Sequence, residues 1–207
     1  MRLHFRSARH STAAFVIALS LAFPVAGFAG GRSSATVVAG ATTHIDNFGR
    51  VDATYYRGSQ PEGRDYADLA ALGVKTIINL TSDDAEADEQ AMTEQAGMRY
   101  VHIPMTTHRP PTEAQLTEFL RLVSDPAGQP VFVHCVGGRH RTGVMTAVYR
   151  MAVQRWSADQ AFKEMKQYRF GADFLHSEFK DFVYAYHPPV AAARATDDGL
   201  KPATTLE

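Results

Sequence analysis

Residues 131–143 read VFVHCVGGRHRTG and carry the pattern around which the rest of the chain is organised. The valine, phenylalanine and valine at positions 131–133 are typical of a short buried strand. A glycine-bearing loop follows, and apolar residues recur at helical spacing from Thr142 onward. A strand, a glycine-rich loop and a helix N-terminus together present several backbone N–H groups and a positive helix end to one anion. These residues therefore predict an anion-binding loop.

Two side chains in this loop add chemistry to anion binding. Cys135 occupies the first position of the loop, and Arg141 lies where the helix begins. A cysteine is a good nucleophile only as the thiolate, which backbone amides, a helix N-terminus and guanidinium groups stabilise. A planar guanidinium matches two oxygens of a phosphate, while Gly137 and Gly138 let the backbone approach closely. We expect the loop to hold a nucleophile beneath a bound phosphate.

The pattern His134-Cys135-x5-Arg141-Thr142-Gly143 resembles the signature of the cysteine-based protein tyrosine phosphatase superfamily, within its dual-specificity branch. The resemblance implies that Cys135 forms a phospho-cysteine intermediate and that Thr142 eases departure of the thiolate. The implied phosphate-binding residues are Val136, Gly137, Gly138, Arg139, His140 and Arg141. The resemblance covers about residues 54–186 and is greatest to the compact plant, fungal and bacterial atypical dual-specificity phosphatases, which include enzymes acting on inositol pyrophosphates.

Hydrolysis also needs an acid that protonates the leaving oxygen of the substrate, and the sequence does not single out one residue for this role. In the family it is usually an aspartate on a loop ahead of the cysteine, and the corresponding residues 104–111 contain no Asp. Three alternatives stay open: His108, because imidazoles titrate near neutrality; Asp83 or Asp84, which directly follow a predicted strand; and Glu113, at a predicted helix start. A fourth is that no side chain acts, which suits a pyrophosphate or an acidic phenol as leaving group.

The remainder of the chain predicts an α/β fold. Strand patterns begin near residues 55, 74, 99 and 131, and helix patterns span about residues 65–72, 81–94, 112–123, 142–152, 157–168 and 174–186. Thr112 and Ser157 each open a capping box. Alternating strands and helices indicate a central, mostly parallel sheet of about four to five strands with helices on both faces. Arg57, at the end of the first strand, is interpreted as a surface arginine, with a supporting role behind the active site as the alternative. His134 is interpreted as a residue that orders the loop.

The N-terminus has the pattern of a secretory signal peptide. Arg2, Arg6 and Arg9 precede an apolar run at residues 13–23, and a small-x-small site ends at Ala29. The run is short for a membrane span, and a retained anchor is the alternative to cleavage near Ala29. The predicted organisation is a signal peptide at 1–29, a flexible lead-in at 30–53, a phosphatase domain at 54–187 and a disordered tail at 188–207. We expect a secreted or periplasmic protein.

The charge and residue composition limit which classes of binding partner are expected. The formal net charge is −1, so no basic surface argues for nucleic acid. No group of His, Cys and Asp has metal-ligand spacing, so neither a metal nor another cofactor is expected. The expected partner is a phosphorylated protein or a small phosphorylated substrate, with the chain a monomer without a stable membrane span.

Two other classes compete with a phosphatase that hydrolyses phosphomonoesters of proteins or inositol phosphates. The missing loop aspartate is compatible with a phosphate-binding module that does not turn over. A rhodanese-like sulfur transferase also uses one cysteine after a strand, but its loop is typically a residue shorter and lacks the Arg-Thr-Gly start of the helix.

Overall fold

The computed structural model describes residues 43–82 and 85–189. Within these ranges, strands and helices alternate along the chain. The strands are β1 Gly49–Arg50, β2 Tyr55–Gly58, β3 Thr76–Asn79, β4 Arg99–His102 and β5 Val131–His134. The helices are α1 Asp65–Ala71, α2 Glu89–Gln95, α3 Glu113–Val123, α4 Arg141–Ala152, α5 Ala158–Gln167 and α6 Ser177–Ala185, with a 3-10 helix Asp173–His176 immediately before α6.

The strands form one sheet in the order β1-β2-β5-β3-β4. All neighbouring pairs are parallel except β1 and β2, which are antiparallel. The central strand is β5, and its last residue, His134, pairs with Gly58 on one side and Asn79 on the other. The predicted α/β fold with a mostly parallel sheet is confirmed. The loop after β5 therefore leaves the sheet between the carboxyl ends of two neighbours, where ligand sites of such sheets lie.

Helices cover both faces of the sheet. Side chains alternate between the two faces along each strand, so each face carries apolar residues that a layer of helices buries. Ile78, Val131 and Val133 point into a core shared with residues of α3, α4, α5 and α6. Ile77 and Phe132 point the other way, into a smaller core that includes residues of α1 and α2. Fully burying such a side chain stabilises the fold by about 1.5–3 kcal/mol. The two cores hold the sheet, and hence the loop after β5, in place.

The predicted helix starts at Thr112 and Ser157 are confirmed as capping boxes. Helix α2 instead begins at Glu89, later than the start near residue 81 that the sequence indicated. Thr81 is held outside any helix because its backbone N–H and its hydroxyl both donate to Oδ1 of Asn79, at 2.7 and 2.6 Å. This local hydrogen bonding competes with helix formation.

The flexible lead-in predicted for residues 30–53 is wrong for the part that the structure describes. Ile45 is buried in the smaller core, and Asp52 accepts hydrogen bonds from the Tyr149 hydroxyl (2.7 Å) and from Gln154 Nε2 (2.6 Å) on and after α4. Burial alone raises the pKa of Asp52, but hydrogen bonds from Tyr149 and Thr54 outweigh it and keep the pKa below 3.8. The domain therefore begins no later than Thr43 rather than at Thr54.

Several predictions fall on residues outside the described ranges. These are the signal peptide at 1–29, residues 30–42 of the lead-in, Asp83 and Asp84, and the tail from residue 190. Across residues 43–82 and 85–189, none of the helices has the length and apolar character needed to cross a membrane.

Candidate active site

Cys135 lies at the carboxyl end of β5, where the strand gives way to the predicted anion-binding loop. Its side chain is almost fully buried and unbridged. The loop ends at Arg141, the first residue of α4, and the backbone N–H of Val144 closes the first turn by donating to the His140 carbonyl at 2.8 Å. Every residue of α4 is buried. The predicted sequence of strand, loop and helix is confirmed, and the helix N-terminus points its unsatisfied N–H groups toward the loop.

Two buried side chains bind the backbone carbonyls of the loop from beneath. The Gly138 carbonyl accepts from Nδ2 of Asn47 at 2.9 Å and from a terminal nitrogen of Arg57 at 2.7 Å. Asn47 Nδ2 also contacts the Gly137 carbonyl at 3.4 Å. Asn47 comes from the segment ahead of β1, and Arg57 from β2. The backbone orientation of the loop is thus fixed by residues far away in sequence.

These contacts determine where the loop amides point. The Val136 carbonyl is bound as well, by the backbone N–H of Gln60 at 3.1 Å. In a trans peptide the carbonyl and the following N–H point in opposite directions. Because these three successive carbonyls are bound, the N–H groups of Gly137, Gly138 and Arg139 point away from Gln60, Asn47 and Arg57. Successive backbone N–H groups beside a helix N-terminus can bind a tetrahedral oxyanion.

Gly138 is required by this arrangement. Its φ of +62° is a left-handed conformation that glycine adopts readily. A Cβ at this position would lie 2.4 Å from both the carbonyl carbon and the oxygen of Gly58, backbone atoms that cannot move aside. The close approach lets β2 support the loop directly.

Arg57 is fully buried, so its interpretation as a surface arginine is wrong. The reason is topological: β2 lies between β1 and β5, and its burial leaves no strand end open to solvent. The guanidinium stacks over the Tyr168 ring, 3.9 Å from the ring centroid. Burial lowers the pKa of the Arg57 guanidinium from its usual value, and arginine side chains stay protonated in proteins. A fixed positive charge therefore lies under the loop.

His134, the residue before Cys135, is also fully buried. Its Nε2 lies 2.6 Å from Oε1 of Glu89, at the start of α2. The other oxygen of Glu89 accepts from Nδ2 of Asn79 at 2.5 Å. These contacts connect the end of β5 to β3 and α2, which agrees with the expectation that His134 orders the loop.

Arg141 and Thr142 lie at the other end of the loop, both buried. Arg141 Nη1 donates to the Met105 carbonyl at 3.2 Å, which ties the helix start to the segment after β4. The buried hydroxyl of Thr142 has no hydrogen-bond partner among residues 43–82 and 85–189, and remains available for a sulfur or phosphate oxygen in the loop. The structure places Cys135 at the start of the loop and Arg141 and Thr142 at its end, in the first turn of α4. Their catalytic roles stay a prediction.

The candidate acids are separated by the fold. His108 is connected to the loop by a chain of ring contacts. Its ring stacks on that of His176, and the His176 ring centroid lies 3.7 Å from that of His140 in the loop. Glu113 is instead exposed and lies beside Tyr186, on the groove between α3 and α6. Asp83 lies outside the described residues. Among the candidates that can be placed, His108 is therefore the one at the edge of the loop.

His140 is half-buried between the loop and the 3-10 helix. Its Nε2 lies 3.0 Å from the Phe170 carbonyl. Burial lowers the pKa of His140 below 6.5, and the neighbouring His176, Arg139 and Arg141 lower it further. Arg139 is exposed, as expected for a loop side chain that points outward.

A protein-family model described as a DSP-PTPase phosphatase fused to NAD+ kinase matches residues 35–182. The chain belongs to this DSP-PTPase phosphatase family. The family assignment confirms the resemblance drawn from residues 134–143.

Curated members of this phosphatase group are similar over the same region. The dual specificity protein phosphatase TpbA of Pseudomonas aeruginosa (strain UCBPP-PA14) is 34% identical over 125 residues, 60% of this chain and 56% of that protein. The inositol diphosphatase SIW14 of Saccharomyces cerevisiae is 28% identical over 130 residues, 60% of this chain and 46% of that protein. The chain thus spans about half the length of these two relatives.

Solved structures share the architecture. The core catalytic domain of SIW14, described as a PP-IP phosphatase and crystallised with citrate, is 26% identical with a TM-score of 0.60, covering 69% of this chain and 86% of that one. A Pseudomonas aeruginosa TpbA variant in complex with phosphotyrosine is 28% identical with a TM-score of 0.56, covering 72% and 91%.

Two supporting residues, Asn47 and Glu89, were not identified from the sequence, and a supporting role for Arg57 was only the alternative to a surface position. Asn47 has a φ of 55°, a conformation that asparagine tolerates better than most residues, and the Asn-Phe-Gly sequence was a usable turn signal. Nothing local to Arg57 or Glu89 distinguishes them from exposed charged residues, because their burial depends on strand order and on where α2 packs.

Proposed function

We propose that the chain is a cysteine-dependent phosphatase that works through a phospho-cysteine intermediate. The observation that carries the proposal is the set of three loop N–H groups, oriented by bound carbonyls, in the loop that joins Cys135 to Arg141. Membership of a phosphatase family supports it. A site built in this way favours the trigonal-bipyramidal phosphoryl group of the transition state through fixed donors.

In the first proposed step the Cys135 thiolate attacks phosphorus, an S–P bond forms, and the P–O bond to the leaving group breaks. The leaving oxygen takes a proton from an acid or departs as a stable anion. In the second step water attacks phosphorus, the S–P bond breaks, and inorganic phosphate and the thiolate are released. Arg141 and the loop amides bind the equatorial oxygens in both steps, and the Thr142 hydroxyl donates to the departing sulfur.

The proposed acid is His108, since it lies at the edge of the loop and the segment 104–111 offers no aspartate. Its side chain is 76% exposed, which places any proton it holds in exchange with solvent. Hydrolysis of substrates with acidic leaving groups is expected to depend least on His108, because their leaving oxygen departs as a stable anion without a proton.

The proposed substrates are phosphotyrosyl proteins, because three exposed apolar side chains lie in or beside the loop. Val136, Phe174 and Leu175 are large exposed hydrophobic residues, and the last two belong to the 3-10 helix whose His176 contacts His140 of the loop. An aromatic leaving group packs favourably against such a rim. The Pseudomonas relative crystallised with phosphotyrosine supports this choice, and the inositol diphosphatase relatives define the alternative substrate class.

The test compares a phosphotyrosyl peptide with an inositol diphosphate, for the wild-type chain and for Cys135→Ser. We expect faster hydrolysis of the peptide, loss of all hydrolysis in the variant, and radiolabelled phosphate trapped on Cys135 after acid quenching. Binding of phosphate to the wild type with no release of product would instead support the phosphate-binding module. Preference for the inositol diphosphate would reject the substrate assignment alone.

We further propose export of the chain, with cleavage near Ala29, on the pattern of residues 1–29. Fractionation of cells expressing the full chain, followed by N-terminal sequencing, tests this proposal. A mature protein that starts near residue 30 outside the cytoplasm is expected, and an unprocessed membrane-bound chain would support the retained anchor. Sedimentation of the mature protein tests the proposed monomer.

A further inference from the structure

Three side chains with metal-ligating atoms converge beside the catalytic loop. His108 comes from the segment between β4 and α3, His176 ends the 3-10 helix, and Glu178 lies in the first turn of α6. Their ligand atoms all lie within 4.8 Å of one another. Both imidazoles use Nδ1 to face the same oxygen of Glu178, His176 at 3.4 Å and His108 at 3.8 Å.

These separations are close to those of a tetrahedral zinc site. Zinc binds imidazole nitrogen and carboxylate oxygen at about 2.0–2.2 Å, so neighbouring ligand atoms are about 3.4 Å apart. The His176–Glu178 distance already has this value, and the His108–Glu178 distance is slightly larger. The imidazole nitrogens of His108 and His176 lie within 4.8 Å of each other, and His108 is the most exposed of the three, so its side chain has room to rotate toward an ion.

The surroundings orient the ligands. The His176 ring packs against His140 and stacks on Phe179, with centroids 3.7 and 5.9 Å away. The rings of His108 and His176 stack at 18°, so the exposed His108 ring must turn out of this stack for both nitrogen lone pairs to meet at one ion. A set of two imidazoles and one carboxylate suits zinc and related transition metals, and it leaves a fourth position for water or substrate. Magnesium and calcium prefer oxygen ligands and fit this set poorly.

We propose that His108, His176 and Glu178 form a binding site for a zinc-class divalent cation beside the catalytic loop. A bound ion occupies the imidazole proposed above as the acid, so His108 donates a proton only in the metal-free chain. The ion joins segment 104–111 to the start of α6, two parts of the rim that come from distant parts of the sequence. It also adds positive charge beside His140, next to where a phosphate would enter. The sequence predicted no metal because ligand spacing was judged along the chain, where His108 and His176 are far apart.

The test measures zinc binding to the full chain in a Cys135→Ser background, which removes the thiolate as a competing ligand. We expect one zinc ion per chain, no competition from magnesium, and a cobalt(II) derivative with the strong visible absorption of a tetrahedral site. His108→Ala and Glu178→Gln, each added to this background, are expected to weaken binding at least about 100-fold, the upper range for loss of outer-shell partners.

His187→Ala is the matched control, because His187 is an exposed histidine at the end of α6 that lies outside the cluster. It is expected to bind zinc as the background chain does. Thermal unfolding of each apo variant verifies that the fold is retained. Zinc affinity that is unchanged by His108→Ala and Glu178→Gln, or lowered equally by His187→Ala, would overturn the proposal. Neither outcome bears on hydrolysis by Cys135.

Discussion

The support beneath the catalytic loop and the rim above it differ in almost every physical respect. The support, which we define as Asn47, Arg57, Glu89 and His134, is buried, and the last three of these residues are fully inaccessible. The rim, defined as Val136, His108 and the 3-10 helix, is largely open, with Phe174 80% exposed. Buried hydrogen-bonded groups allow few alternative geometries, so the support fixes the phosphate site while the rim is free to select what enters it.

The largest effect is expected at the support, from Gly138→Ala. The added methyl group would meet the Gly58 carbonyl at 2.4 Å and force the loop away from β2. A displacement of about 1 Å at a catalytic site costs about 100-fold in rate. We expect at least this loss in kcat for an aryl phosphate, together with a lower thermal midpoint.

Gly137→Ala is the control for this change. A Cβ there would find nothing closer than the Arg139 side chain at 3.5 Å, an ordinary contact. Its thermal midpoint is expected to match that of the wild type. Equal destabilisation by the two substitutions would mean that the close approach of β2 is not what fixes the loop.

A smaller effect is expected from Arg57→Met, which keeps the side-chain volume but removes the charge and the bond to the Gly138 carbonyl. Asn47 still binds that carbonyl, and replacing a buried charge by an apolar side chain is often neutral for stability. We expect kcat to fall about tenfold, as for loss of one charged hydrogen bond of about 1.5 kcal/mol, while the denaturation midpoint changes little. Arg50→Met, at an exposed position on β1, should leave both values unchanged.

The rim is tested by Phe174→Ala. Loss of an aromatic contact worth about 0.5–1.5 kcal/mol should raise KM for a phosphotyrosyl peptide between about twofold and tenfold. The kcat value and the unfolding midpoint should stay at wild-type levels, because Phe174 is exposed and lies outside the support. Hydrolysis of a phosphate ester without an aromatic group provides the comparison, and an equal rise in its KM would contradict the assignment.

The smallest expected effect concerns His140, which touches both regions. Its folded pKa is lowered below 6.5 by burial and by neighbouring positive groups, so the unfolded chain binds the proton more readily. The contribution of neutral His140 to the free energy of unfolding is complete above pH 6.5. It is lost as the pH falls from 6.5 toward the lowered pKa of the folded state. Urea unfolding of His140→Asn, at pH values above and below 6.5, should therefore show a shallower loss of stability in acid than the wild type. If the stability of the variant and of the wild type depended on pH in the same way, a group other than His140 would be responsible.

The sequence predicted what depends on neighbouring residues. The strand β5, the loop from Cys135 and the start of α4 follow from residue types within a few positions of one another, as do the capping boxes at Thr112 and Ser157. The contacts of Gly138 with Asn47 and Arg57 bridge 91 and 81 positions. They require the strand order and the packing of the segment ahead of β1, which no local pattern encodes. The cluster of His108, His176 and Glu178 was missed for the same reason.

The dependence of the loop on Asn47 has a consequence for proteolysis. Asn47 lies ahead of β1, and the chain between β1 and β2 contains the partly exposed residues Asp52, Ala53 and Thr54. A protease that cut there would release the fragment that binds two loop carbonyls, yet would leave Cys135, Arg141 and all of α4 covalently intact. Loss of the N-terminal segment is thus expected to abolish the proposed hydrolysis, with Cys135 still in place.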